Sequence, residues 1–196
     1  NFGNLKLINV LNYKKLKNTN ENFLLKNKFW LAASTHKGEE NFCIETHIKI
    51  KKEYNDIITF IAPRHIYRTN EIKKLCEKAN LKCQILNEND LIDEKIEIVI
   101  INSYGALNSY FKYCKSVFIG KSLLKNIQSS SGQNPVEAAY LGCKIYHGPY
   151  VYNFEEIYKI FEKNKISKEV RTSEFLAKCL LKDLENPKKI GEDYLS

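Results

Sequence analysis

Apolar residues in this chain fall into short blocks separated by polar turns, and the blocks alternate between the strand and helix periods. Phe29-Trp30-Leu31-Ala32-Ala33 is unbroken and too short for a helix, so it reads as a buried strand ending in the polar turn Ser34 to Gly38. Between Glu39 and Lys52, the residues Phe42, Cys43, His47, Ile48 and Ile50 recur at roughly helical spacing. Ile57 to Ala62 predicts a second strand stopped by Pro63, Ile72 to Ala79 a helix, and Lys82 to Leu86 a third strand. Ile96 to Ile101 is almost wholly apolar, as a central parallel strand buried on both faces must be. Helices follow at Ala106 to Tyr113, Asn134 to Leu141, Phe154 to Phe161 and Ser173 to Leu184, with strands at Val117 to Ile119 and Lys144 to Tyr146. This alternation predicts the α/β class: a doubly wound parallel, Rossmann-like sheet over residues 29–196. Residues 1–28, polar and rich in Asn and Lys, read as a linker or domain edge.

Composition narrows the function classes. A chain of 196 residues with 43% hydrophobic and 28% charged residues is a globular domain, not a disordered segment. No apolar run approaches the ~18 residues of a membrane span, and the first 28 residues carry no signal-peptide core. Methionine is absent even at position 1, which predicts a piece of a longer or processed protein. The net charge of +8 comes from scattered lysines, which read as a solvated basic surface; no nucleic-acid partner is expected, while an anionic substrate or membrane surface fits. Six widely spaced cysteines without a CxxC read as reduced, buried small hydrophobes of a cytosolic protein, with no metal site and no cofactor.

Parallel sheets bind ligands at the carboxyl ends of their strands, so the loops there carry the candidate chemistry. Ser34 to Glu40 can present backbone N–H groups to an anion, or can be a plain N-cap turn through Ser34 or Thr35. Pro63-Arg64-His65-Ile66-Tyr67-Arg68 is sharper, because arginine occurs elsewhere in the chain only at Arg171. A planar guanidinium kept in a lysine-rich chain suggests bidentate binding of phosphate or carboxylate; the plainer reading is an ion pair with Glu39 or Glu71. Tyr104-Gly105-Ala106 allows close backbone approach to a ligand. Gly120-Lys121-Ser122 and Ser129 to Glu137 run into a helix start, where Glu137 can accept from two ribose hydroxyls. Asn134 as N-cap, Pro135 at N1 and Glu137 at N3 equally make a capping box.

Taken in order, Trp30-Leu-Ala-Ala-Ser-Thr-His-Lys-Gly-Glu-Glu40, Ala62-Pro-Arg-His65, Tyr104-Gly105, Gly120 with Ser122-Leu123, Asn134-Pro-Val-Glu-Ala-Ala139 and Gly148-Pro149 through Asn153-Phe154 resemble one family. It is that of the 3-deoxy-D-manno-octulosonic acid (Kdo) transferases of lipopolysaccharide assembly, and the likeness runs over roughly residues 3–190. The resemblance implies the C-terminal, donor-binding half of a two-domain GT-B glycosyltransferase that moves Kdo from CMP-Kdo to the lipid A precursor. It implies a substrate-binding set of Pro63, Arg64, His65, Tyr104, Gly105, Ala106, Ser131, Gly132, Asn134, Pro135, Val136 and Glu137. It places the catalytic base in an N-terminal domain, with no catalytic residue among these 196. It also implies a soluble piece of a protein working at the cytoplasmic face of the bacterial inner membrane. The family has Met-Gly-Glu at Tyr104-Gly105-Ala106, Gly-Gly-His before Asn134, a second glycine at Lys121 and usually histidine at Tyr150. A transferase for another nucleotide sugar, or a non-catalytic nucleotide-binding module, is the alternative.

Overall fold

The computed structural model describes residues 17–125, 132–186 and 189–190. Seven strands form one all-parallel sheet: β1 (Phe29–Thr35), β2 (Ile58–Pro63), β3 (Cys83–Leu86), β4 (Ile98–Ile101), β5 (Ser116–Ile119), β6 (Lys144–His147) and β7 (Ser167–Glu169). Their order across the sheet is β3-β4-β2-β1-β5-β6-β7. The helices are α1 (Glu21–Lys26), α2 (Glu39–Lys51), α3 (Thr69–Lys78), α4 (Leu107–Phe111), α5 (Val136–Tyr140), α6 (Glu155–Lys163) and α7 (Ser173–Glu185).

Successive strand residues point to opposite faces, and the central strands are apolar on both. Phe29, Leu31 and Ala33 of β1 join Val99 and Ile101 of β4 in one core, which also takes in Leu24 of α1 and Tyr158 of α6. Trp30 and Ala32 join Ile98 and Ile100 in the second core, under α2, α3 and α7. This double burial is why the strand blocks show no polar alternation in the sequence.

The expected architecture is the observed one, and most boundaries shift by only a few residues. Pro63 closes β2 from inside rather than following it: it pairs with Thr35, at the strand end where a missing N–H costs least. Two elements carry no sequence signal. The edge strand β7 is the polar Ser-Lys-Glu, and α1 is a six-residue helix. Asn20 anchors α1: its amide donates to Asp90 O and its carbonyl accepts from Ile92 N, both at 2.9 Å. Among the described residues no helix is long and apolar enough to cross a membrane. Five of the six free cysteines are buried; Cys83 is half-buried.

β1 leads leftward to β2, whereas the chain crosses to the other side of β1 to begin β5. The sheet order therefore reverses between β1 and β5. A crevice opens outside the carboxyl ends at such a switch point.

Candidate functional site at the carboxyl edge of the sheet

At the switch point the loops after β1 and β5 nearly touch. A Cβ added to Gly120 would lie 2.6 Å from Ser34 O and 2.8 Å from Glu39 Oε2, so only glycine fits there. Ser34, Gly38 and Lys121 all have left-handed backbones, at φ of 56°, 99° and 57°. Turning the chain this way aims backbone N–H groups inward as a concave nest suited to an anion. The anion is the protein's own. Glu39, 1% exposed, accepts from His36 N (2.9 Å) and Lys121 N (2.7 Å) on Oε2, and from Ser122 N (2.9 Å) and Leu123 N (3.0 Å) on Oε1. Burial pushes its carboxyl above the usual range, and the four N–H bonds oppose that shift. The expected N-cap by Ser34 or Thr35 is absent: Gly38 stands at the N-cap of α2, and no side chain caps it.

The next loop is locked as well. Ser122 Oγ donates to Ile119 O at 2.7 Å and accepts from Gly148 N at 2.8 Å, while Tyr150 N donates to Ser122 O. Gly148 has room for nothing larger, since a Cβ would fall 2.2 Å from Ser122 O.

Beyond β2 the two arginines part company. Arg68 is 6% exposed and grips Glu40, itself fully buried, with Nη1 at 2.7 Å and Nη2 at 3.1 Å; its Nε reaches Glu71 at 3.3 Å. The planar fork is used, but inside the protein. Arg64 is exposed, and its side chain has no hydrogen bond or ion pair with a described residue; only its backbone N–H is fixed, on Thr35 O at 3.0 Å. Exposed His65 lies beside it, with its ring 5.7 Å from that of His36 and 5.5 Å from that of Tyr67. Burial lowers the proton affinity of His36, and Lys121 and His65 lower it further.

Tyr104 and Gly105, past β4, are exposed, and Gly105 needs its left-handed φ of 74°. With Ala106 they line a cavity of about 280 Å³ together with Asn87 to Asp90, a cavity that neither Arg64 nor Glu137 lines. Gly132, at φ 93°, is held by its N–H on Lys121 O, and Tyr158 OH donates to Gln133 O at 3.2 Å. Ser131 lies outside the described residues. The expected capping box is not formed as drawn, because α5 starts at Val136. Pro135 has no N–H, so the Asn134 side-chain oxygen takes the next one, Val136 N, at 3.0 Å. α5 is one turn of five residues, too short for its dipole to do much, and Glu137 stands exposed in that turn.

The described candidate residues thus lie along one edge, at the ends of β4, β2 and β5, with β1 between the last two. Sequence reasoning missed the internal role of Glu39 and Glu40. A separate cavity of about 540 Å³ lies at the opposite edge, among α1, the start of β1 and the end of α7, away from all of these groups.

Fold and edge together define a doubly wound α/β domain with a polar, partly cationic edge at its switch point. No family model matches the chain. It is 26% identical over 166 residues to the 3-deoxy-D-manno-octulosonic acid transferase of Haemophilus influenzae, covering 83% of this chain and 38% of that protein. It is 26% identical over 217 residues to the enzyme of the same name from Rickettsia typhi, covering 100% of this chain and 46% of the relative. The chain is therefore similar to these Kdo transferases over most of its length, and spans less than half of each. Its fold matches the crystal structure of the C-terminal CMP-Kdo binding domain of WaaA from Acinetobacter baumannii, with a TM-score of 0.77 at 21% identity, over 91% of this chain and 90% of that one.

Proposed function

We propose that residues 29–196 are the donor-binding domain of a Kdo transferase, holding CMP-Kdo at the carboxyl edge of the sheet. The observation that carries this reading is Arg64. In a chain whose other arginine in the same loop is paired inside the protein, this guanidinium stands exposed at the switch edge without a described partner. Such a fork matches the donor's phosphate or carboxylate in two-point fashion. Pro63 and His65 set its surroundings, and the Tyr104-Gly105-Ala106 turn approaches from β4. Gly132 and Asn134 to Glu137 approach from β5, with Glu137 offered to the ribose hydroxyls.

Transfer to an acceptor hydroxyl needs a general base. This reading assigns that base to a domain outside these 196 residues, joined through residues 1–28, with a lipid A precursor as acceptor at the cytoplasmic face of the inner membrane. The departures at Ala106 and Gln133 favour testing other nucleotides alongside. Saturation-transfer NMR of the chain with CMP, UMP, UDP and ADP is expected to show contact with CMP above the rest. Preference for a uridine or adenine nucleotide would replace the donor, and no contact with any of them would remove the reading. Incubation with CMP-Kdo and lipid A precursor is expected to give no Kdo adduct by mass spectrometry; an adduct would overturn the placement of the base.

A further inference from the structure

Glu39 does more than place an acid in the first turn of α2. Three of its four N–H partners, Lys121, Ser122 and Leu123, sit on the loop after β5, more than 80 residues along the chain. The fourth, His36, is on the loop after β1. One buried carboxylate therefore sets the separation of the two loops that face each other across the switch point, and Gly120 allows them to close to contact.

What the clasp holds in place is a half-buried imidazole, His36, and a half-buried lysine, Lys121, at the carboxyl edge. His36 is hydrogen-bonded to Ser34 O through Nδ1 at 3.1 Å, and its ring meets that of His65, next to Arg64. Lys121 is near enough to His36 to disfavour its protonation. The left-handed φ of 57° at Lys121 is a conformation that a lysine adopts only when the surroundings impose it, and here two carboxylate bonds flank it, to its own N–H and to that of Ser122.

We propose that Glu39 is a positioning residue for the anionic part of the donor: its carboxylate clasps the loops after β1 and β5 so that His36 and Lys121 stand beside Arg64. This rests on the donor-site reading above. The amides in the nest belong to Glu39 and are closed to ligand, so the nest acts on ligand only through the side chains whose backbones it fixes. The nucleobase and ribose are left to groups the clasp does not hold, at the Tyr104 turn and around Glu137.

The test is calorimetry of the full 196-residue chain with CMP and with cytidine, which lacks the phosphate. In Glu39→Gln the amide nitrogen would face two N–H donors, so the loops should separate. CMP affinity is expected to fall at least fivefold while cytidine affinity stays within twofold, at a temperature where unfolding curves show the variant native. Equal losses for both ligands would mean general loosening and would overturn the proposal, as would unchanged CMP affinity. Lys121→Gly covers the case in which Glu39→Gln does not fold, because glycine suits the left-handed backbone and leaves the nest intact. It should lose CMP affinity and keep cytidine affinity; if CMP binds as before, the proposal is wrong. Wild-type protein that ignores CMP would instead remove the donor-site reading itself, and the inference with it.

Discussion

Arg64 and Arg68 sit four residues apart on one loop, yet they belong to different parts of the molecule. Arg68 is buried against two acids, and its fork is matched bidentately by Glu40. Arg64 faces solvent at the end of β2 with no such match. The same division runs along the whole edge. Around Glu39 and Ser122 each polar group named above answers another group of the protein. Around Arg64, His65 and Tyr104 the side chains reach outward. A motif rich in anion-binding residue types thus divides into a half that binds the protein's own carboxylates and a half that faces solvent. Residue type alone does not separate them; burial and partner do.

The largest effects should come from the internal half. Glu40→Gln leaves the buried guanidinium only the half-exposed Glu71 on its Nε, and breaking such a buried pair costs about 3–5 kcal/mol. Arg64→Gln, on the exposed half, should stay within about 0.5 kcal/mol of wild type in the same urea titration. If the two variants lost equal stability, the division would be false.

A second large effect follows from His47, buried against Thr59 at 2.9 Å. Burial drops its pKa to about 4, with Lys51 adding to the shift and Glu97 opposing it. The unfolded chain takes up this proton near pH 6.5 whereas the native state resists until about pH 4. Stability is therefore full above pH 6.5 and drains away as pH falls toward 4, by on the order of 3 kcal/mol in total. Denaturant titrations between pH 7 and 4.5 should show that slope, and it should flatten in His47→Gln. An unchanged slope would place the acid sensitivity elsewhere.

Smaller again is Ser122→Ala, which removes the hydroxyl between Ile119 O and Gly148 N. Leaving those buried groups unpaired should cost about 1–3 kcal/mol by thermal unfolding. The smallest effect concerns the exposed half. Glu137→Gln should weaken CMP by about 1 kcal/mol and 2′-deoxy-CMP by less, since that ligand already lacks one hydroxyl. Equal losses would leave Glu137 without a ribose role.

The fold was legible where physics is local. β1, β2 and β4 declare themselves because both of their faces are buried, and Thr172 starts α7 with its own oxygen on Phe175 N. β7 was not legible, because a three-residue polar edge strand is specified by its neighbour β6 and not by its own pattern. α1 depends on Asn20 reaching residues 70 and 72 positions away. At the site, Arg64, Tyr104 and Gly132 could be placed on the carboxyl edge from strand order alone. Glu39 could not be recognised, since a glutamate in a first helical turn looks like an ordinary partner for the helix dipole. The only hint of its nest was the unusual density of glycine and small residues at Ser34, Gly38 and Gly120.

The measurement that bears most directly on the central claim is the affinity of Arg64→Lys for CMP. Lysine keeps the charge but loses the planar fork, and the side chain is exposed, so unfolding should be unchanged. Calorimetry is expected to show CMP bound by the wild type and at least about fivefold more weakly by the variant, a difference of roughly 1 kcal/mol. Equal affinities would contradict the claim that the exposed half of this edge is where the donor's anion is held.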